Sequence, residues 1–149
     1  VMDTVKDQFV LFIVMFIVGI LFNPMNILAY SFSDLYLSLT LIYGGLLMAS
    51  NMIWSHEVVH FLSMGHINIY VLMLGVILSI MTTLFLLRRQ TLVNDKQWLR
   101  RMISHHSTAL TTSQIIKNNT NNPEIKKLAK EIISTQKKEI NTMKRLLEE

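Results

Sequence analysis

The feature that most limits how this chain can fold is the near-absence of charge from residues 1–87. That stretch holds one Lys or Arg and four Asp or Glu, whereas residues 88–149 hold thirteen and six. Apolar segments of this kind are typical of helices that cross a bilayer, because lipid offers the backbone no hydrogen-bond partners. The sequence therefore predicts an all-α protein with a transmembrane helical region at residues 1–90 and a helical hairpin domain at residues 91–149.

Three apolar segments of the first region are candidates for membrane spans. Residues 9–22 form an unbroken apolar run, and residues 25–30 continue it beyond a break at Pro24. Residues 35–54 and 69–87 are the second and third candidates, each close to the roughly 20 residues that a span requires. We therefore expect about three transmembrane helices, the first kinked or re-entrant, in an integral multi-pass protein of the lipid bilayer.

Basic residues mark one side of the third candidate span. Arg88 and Arg89 follow it directly, whereas the loop that precedes it contains no Lys or Arg. Because Lys and Arg are enriched in the cytoplasmic flanks of membrane helices, we expect the C-terminal hairpin to face the cytoplasm or its topological equivalent.

Two helices with apolar stripes are predicted after residue 94. Asn122 followed by Pro123 is a start signal for the second helix, whose stripe runs from Ile125 to Leu147. The first stripe has helical spacing and consists of Leu99, Met102, Ile103, His106, Ala109, Leu110, Ser113 and Ile116. A lone helical pair cannot bury both stripes, so we expect the hairpin to complete a bundle by homo-oligomerisation.

A ladder of potential metal ligands occupies the end of the second candidate span and the residues after it. Met48, Met52, His56, His60 and Met64 follow one another at four-residue intervals, which places them on one helix face. The chain has no cysteine, and a line of thioethers and imidazoles suits Cu(I), with Cu(II) or Zn(II) at the histidine end. The alternative is that the methionines fill an apolar helix and the histidines are solvated at its end.

The same segment contains the zincin pattern His-Glu-x-x-His at His56, Glu57 and His60, with His66 as a further histidine. A zinc hydrolase would use the histidines as ligands and Glu57 to activate a water. Against this interpretation, serine replaces the glycine that metzincins have at the turn, and membrane spans flank the segment. Gly65 permits a turn that brings His66 towards the other two histidines, so a three-histidine site is predicted for either metal.

A second constellation lies in the hairpin. Met102 precedes His105 and His106 by three and four residues, so its sulfur and an imidazole can converge. Met143 lies on the stripe of the partner helix and is expected to complete the site. The alternative is that His106 is a core histidine and His105 its solvated neighbour.

The hairpin sequence resembles the domain of unknown function family numbered three hundred and five, a ferritin-like helical family. The resemblance covers about the last third of the chain, and some family members are periplasmic copper-binding proteins, while others carry membrane helices before the hairpin. It implies a four-helix arrangement in which Met and His bind copper, with Met102, His105, His106 and Met143 as ligands. The matching residues are Met102, His105, His106 and Ala109, then Ala129, Ile132, Gln136, Glu139, Ile140 and Met143.

Three functional hypotheses follow. The first is a membrane-anchored protein that sequesters or relays copper without catalysing a reaction, and the third is the zinc hydrolase. The second is an oligomeric membrane scaffold without metal, whose tail contacts anionic headgroups through Lys126, Lys127, Lys130, Lys137 and Lys138. Nucleic-acid binding is not expected, because acidic residues are interspersed in the tail and no aromatic residue follows Trp98.

Overall fold

The computed structural model of the protein describes residues 5–149. All regular elements in this part of the chain are helices and none is a strand, which confirms the predicted all-α fold. A 3-10 turn, Phe32–Asp34, precedes α3, and a π-helical turn, Thr82–Leu87, extends α4. The helices are α1 (Val5–Leu21), the one-turn α2 (Pro24–Ile27), α3 (Leu39–Met64), α4 (Ile69–Met81), α5 (Asp95–Asn119) and α6 (Pro123–Glu148).

The described residues form two compact units. The apolar unit comprises residues 5–22 and 39–92, and the hairpin unit comprises residues 23–38 and 93–149. We call residues 23–38 the bridging segment. Within the hairpin unit, it contacts α5 and α6.

Glycine permits close crossings of the helices in the apolar unit, where α3 packs against both α1 and α4. A Cβ on Gly19 of α1 would lie 3.0 Å from the Cα atom of Gly45 in α3. A Cβ on Gly75 of α4 would lie 2.9 Å from the backbone nitrogen of Trp54. Small residues at such crossings are characteristic of helix packing in membranes.

Two segments of the described chain are long and apolar enough to cross a membrane, Val5–Ile27 and Ile69–Leu87. Only 6% and 11% of their most apolar windows are buried inside the protein. The protein itself therefore covers little of their apolar surface, and the rest requires another apolar environment. The break expected within the first segment is present, because α1 ends at Leu21 and the Asn23 side chain caps α2.

Two candidate spans are found among residues 5–149 rather than the three predicted, because the second candidate, residues 35–54, is less apolar than the other two. Its first residues are non-helical, and α3 begins only at Leu39. The helix then carries Asn51, His56 and Glu57, whose polar side chains lower its mean hydropathy below that of a membrane span. The structure thus provides two candidate spans among residues 5–149.

The predicted hairpin helices are present and begin at asparagine caps. Asn94 accepts a hydrogen bond from the backbone N–H of Gln97, and Asn122 accepts from those of Glu124 and Ile125. Such caps satisfy backbone donors that a helix start leaves unpaired. Side chains from both helices form the core, namely Leu99, Ile103, Leu110, Ile140 and Met143.

The apolar stripes of the hairpin are only partly buried. Near the turn, Ile116, Ile125 and Leu128 remain 44%, 43% and 55% exposed. At the opposite end, Tyr36 of the bridging segment packs against the core. The bridging segment therefore covers one part of the hairpin surface and leaves the apolar residues near the turn uncovered.

Candidate metal-binding sites

Three of the four ligands predicted in the hairpin line one groove between α5 and α6. Met102 and His106 come from α5, and Met143 comes from α6. The groove has a volume of about 710 Å³ and is bordered on α6 by Glu139. The helical spacing of the sequence places Met102 and His106 one turn apart, and packing of the two helices brings Met143 to them.

His106 has the surroundings of a potential ligand. Its side chain is 15% exposed, and its Nδ1 atom lies 3.1 Å from Oε2 of Glu139. That approach lacks hydrogen-bond geometry, so the buried nitrogen has no hydrogen-bond partner among residues 5–149. The two thioethers of Met102 and Met143 and the imidazole of His106 form a donor set that fits a soft cation such as Cu(I).

His105 does not line the groove and is exposed on α5. Its ring meets the ring of His106 edge to face, with 6.1 Å between the centroids. Partial burial lowers the pKa of His105, and the positive charge of Arg101 and the neighbouring His106 lower it further. The uncharged imidazole, which is the form that binds metals, is therefore favoured near neutral pH.

The five residues of the ladder all lie on α3 and have different surroundings. Met48 packs at the crossing of α1 and α3, where its sulfur lies 3.1 Å from the position of a Cβ on Gly19. The rings of His56 and His60 stack nearly parallel, with centroids 6.3 Å apart. Met52 is half-buried, and Met64 is exposed at the end of the helix.

His66 follows the left-handed turn at Gly65, whose φ is +72°. The ring of His66 is exposed, and its Nδ1 atom lies 2.9 Å from the carbonyl oxygen of Met64. Within residues 5–149, no three His, Asp or Glu side chains form a group that could hold a metal ion.

Glu57 is held at the centre of a polar cluster that sequence reasoning missed. One carboxylate oxygen, Oε1, accepts a 3.0 Å hydrogen bond from Nε2 of Gln8 in α1. The other oxygen accepts a 2.9 Å hydrogen bond from the backbone N–H of Asn68, which caps α4. Glu57 therefore joins three helices. A glutamine at the start of a long apolar run was the available signal.

Glu139 and Asp34 were also absent from the predicted site. Glu139 lies one turn before Met143 on α6, and this spacing could have indicated that it faces the same groove. Asp34 lies in the bridging segment, and its carboxylate accepts a 2.7 Å hydrogen bond from Ser107 and pairs with Lys144. No local pattern could have paired residues so distant in sequence.

Comparisons with known proteins agree with the resemblance in the hairpin. The family model described as Domain of unknown function (DUF305) matches residues 85–149. A protein of Acanthamoeba polyphaga mimivirus, named Uncharacterized protein L153, is 38% identical over 135 residues, which are 90% of this chain and 86% of that protein. No solved structure matches the chain. The chain therefore belongs to the DUF305 family, whose matched domain here is the hairpin of α5 and α6.

Proposed function

We propose that this protein is a membrane-anchored metal-binding protein that sequesters or relays copper through Met and His side chains. The observation that carries the proposal is the groove lined by Met102, His106 and Met143. Thioether sulfur and imidazole nitrogen together favour Cu(I) over harder cations. Bound copper would supply a cross-link between α5 and α6 and a redox-active centre.

Four residues of the hairpin would have different roles in binding copper. Met102 and Met143 provide sulfur from the two helices, and His106 provides nitrogen beside Glu139. The negative charge of the Glu139 carboxylate, 3.1 Å from the ring of His106, would favour a cation bound there. His105 lies at the surface beside His106 and is suited to receive or release the ion.

Relay along the chain would involve the ladder of α3. The parallel rings of His56 and His60 are its two neighbouring nitrogen ligands, and Met64 offers an exposed sulfur beyond them. Met48 is 40% exposed but contacts α1 beside Gly19, and this contact suits it to a structural role.

Membrane anchoring would use the two apolar segments, Val5–Ile27 and Ile69–Leu87. Arg88 and Arg89 directly after the second segment favour a cytoplasmic hairpin in a multi-pass arrangement. A second copy of the chain is the proposed partner of the hairpin, because Ile116, Ile125 and Leu128 leave apolar surface near its turn.

Metal analysis of the detergent-purified protein tests the copper proposal. We expect Cu(I) in a fixed ratio to the chain, and weaker Cu(I) binding in Met102→Leu and Met143→Leu, since leucine keeps the volume and removes the sulfur. Competition with a Cu(I)-selective chromophoric chelator measures the affinities. Met73→Leu is the matched control, because Met73 is an exposed methionine of α4 outside the groove.

Two results would contradict the proposal. Failure to bind copper after reconstitution with Cu(I) would favour the oligomeric scaffold without metal. Equal affinities in the two groove variants and in Met73→Leu would place any bound copper outside the groove.

A further inference from the structure

A buried polar cluster lies where α1 and α4 begin and α3 approaches its end. Gln8 of α1 is 9% exposed and Glu57 of α3 is 4% exposed. His56 adjoins them, with its Nδ1 atom 3.1 Å from Nε2 of Gln8. Burying a carboxylate and an amide among apolar helices is costly unless their polar atoms are compensated.

The three facing atoms of the cluster are spaced like the ligands of one metal ion. Nε2 of Gln8 lies 3.0 Å from Oε1 of Glu57, and Oε1 of Glu57 lies 3.9 Å from Nδ1 of His56. With the 3.1 Å edge between Gln8 and His56, these distances define a triangle. Its centre is about 2.0 Å from each corner, which matches zinc–nitrogen and zinc–oxygen bond lengths of about 2.0–2.2 Å.

The amide of Gln8 can present its oxygen to this centre. Its Oε1 atom is buried and has no hydrogen-bond partner among residues 5–149. Half a turn of the amide exchanges oxygen and nitrogen and places the oxygen at the corner between His56 and Glu57. The oxygen then acts as a ligand instead of remaining unpaired.

The charge of the cluster also favours a cation. The hydrogen-bond donors to Glu57 are the neutral Gln8 amide and the Asn68 backbone, and within residues 5–149 no Lys or Arg pairs with its carboxylate. A bound cation would compensate the charge of a carboxylate that is buried without a Lys or Arg partner. Because Asn68 binds Oε2, it fixes the carboxylate with Oε1 directed at the other two side chains.

We propose that Gln8, His56 and Glu57 form a binding site for a divalent cation of the zinc class in the apolar unit. Nitrogen and oxygen ligands without sulfur suit Zn(II), whereas the sulfur-containing groove of the hairpin suits Cu(I). The site differs from the three-histidine arrangement, because Gln8 and Glu57 bind the ion directly and His66 takes no part. It does not rest on the proposed copper function.

Zinc titration of the full chain in detergent, after removal of bound metal, tests the site. Competition with a chromophoric zinc chelator gives the affinity. We expect Glu57→Gln and Gln8→Ala to weaken zinc binding about ten-fold or more, since even second-shell changes have effects of about 10–100-fold. Glu131→Gln, at an exposed position of α6, is the matched control and should bind zinc like the wild type.

A gain of affinity provides a test that misfolding cannot mimic. Gln8→Glu replaces the amide oxygen by a charged carboxylate at the same place, so we expect it to bind zinc more tightly than the wild type. X-ray absorption of the zinc-loaded protein should show nitrogen and oxygen neighbours including one imidazole, and no sulfur.

Several outcomes would overturn the proposal. They are the absence of zinc binding, equal affinities in wild type, Glu57→Gln and Gln8→Glu, and sulfur in the absorption spectrum. Loss of zinc binding in His66→Ala would instead support the three-histidine arrangement. Separate copper titration of His106→Ala keeps the two sites distinguishable, because that variant should lose copper affinity while its zinc affinity is unchanged.

Discussion

His105 and His106 are neighbours in the chain, but α5 gives them different surroundings. His106 faces the groove beside Glu139, whereas His105 lies at the surface near Arg101. Desolvation and the positive charge of Arg101 both disfavour the protonated form of His105. The pair therefore combines a partly buried imidazole with an exposed one that stays neutral to lower pH than an ordinary histidine.

NMR titration of the histidine ring signals tests this difference. We expect the pKa of His105 to lie below 6.5, and Arg101→Gln to raise it part of the way, since burial remains. Arg100→Gln is the control, because Arg100 does not contribute to the shift. A pKa at or above the ordinary value in the wild type would contradict the expectation.

The sign of the shift also sets its effect on stability. The folded-state pKa of His105 is lower than the unfolded-state pKa, so the unfolded chain binds more protons. The contribution of His105 to stability is therefore present above the unfolded-state pKa and is lost as the pH falls towards the folded-state pKa. The effect should be small, because His105 is exposed and solvent screens its charge.

Among the elements, the bridging segment is the one whose placement depends most on polar contacts. Its backbone N–H at Tyr30 donates a 2.8 Å hydrogen bond to Oγ of Ser107, which in turn donates to the Asp34 carboxylate. Oγ of Ser104 donates to the carbonyl oxygen of Asp34, and Lys144 pairs with its side chain. Asp34 thus links the bridging segment to both helices of the hairpin.

Removing the charge of Asp34 should loosen the bridging segment without unfolding the hairpin. We expect Asp34→Asn to cost about 1–3 kcal/mol, the range for losing a hydrogen-bonded charged group that is partly shielded from water. Hydrogen exchange measures this directly, because the amide of Tyr30 should exchange faster while the amides of Leu110 and Ile140 keep their protection. Asp95→Asn is the matched control at an exposed aspartate. Unchanged protection of Tyr30 would show that other contacts hold the segment.

At the scale of the whole molecule, the segments Val5–Ile27 and Ile69–Leu87 expose a large apolar surface. This surface needs an apolar environment such as a bilayer or detergent. We expect the expressed protein to stay with membranes during an alkaline carbonate wash and to dissolve in detergent. Leu74→Lys with Ile77→Lys should weaken this retention, because each lysine at a span centre costs about 2.5–3.5 kcal/mol, although Val5–Ile27 remains as a second apolar segment. The matched control is Ile115→Lys with Ile116→Lys, at exposed apolar positions of α5. Release of the unaltered protein by carbonate would contradict membrane anchoring.

Sequence patterns predicted the features that depend on residues close together in the chain and missed those that depend on distant ones. Local signals were sufficient for the hairpin helices, because a cap such as Asn122 and the spacing of an apolar stripe act within a few turns. They also indicated that Met102 and His106 share a face. They also suggested a helix from residue 35, where the structure has a non-helical segment before α3 begins at Leu39.

The sequence by itself therefore determined the helical class, the starts of the two hairpin helices and the segregation of charge, since each depends on neighbouring residues or on composition. Only the tertiary structure decided that Gln8 meets Glu57, that Asp34 meets Ser107 and that Met143 shares a groove with His106. Those pairs come from different helices or segments, and helix packing rather than periodicity brings them together. The polar and metal-ligand-type side chains of these pairs are thus brought together by contacts that no local sequence pattern could predict.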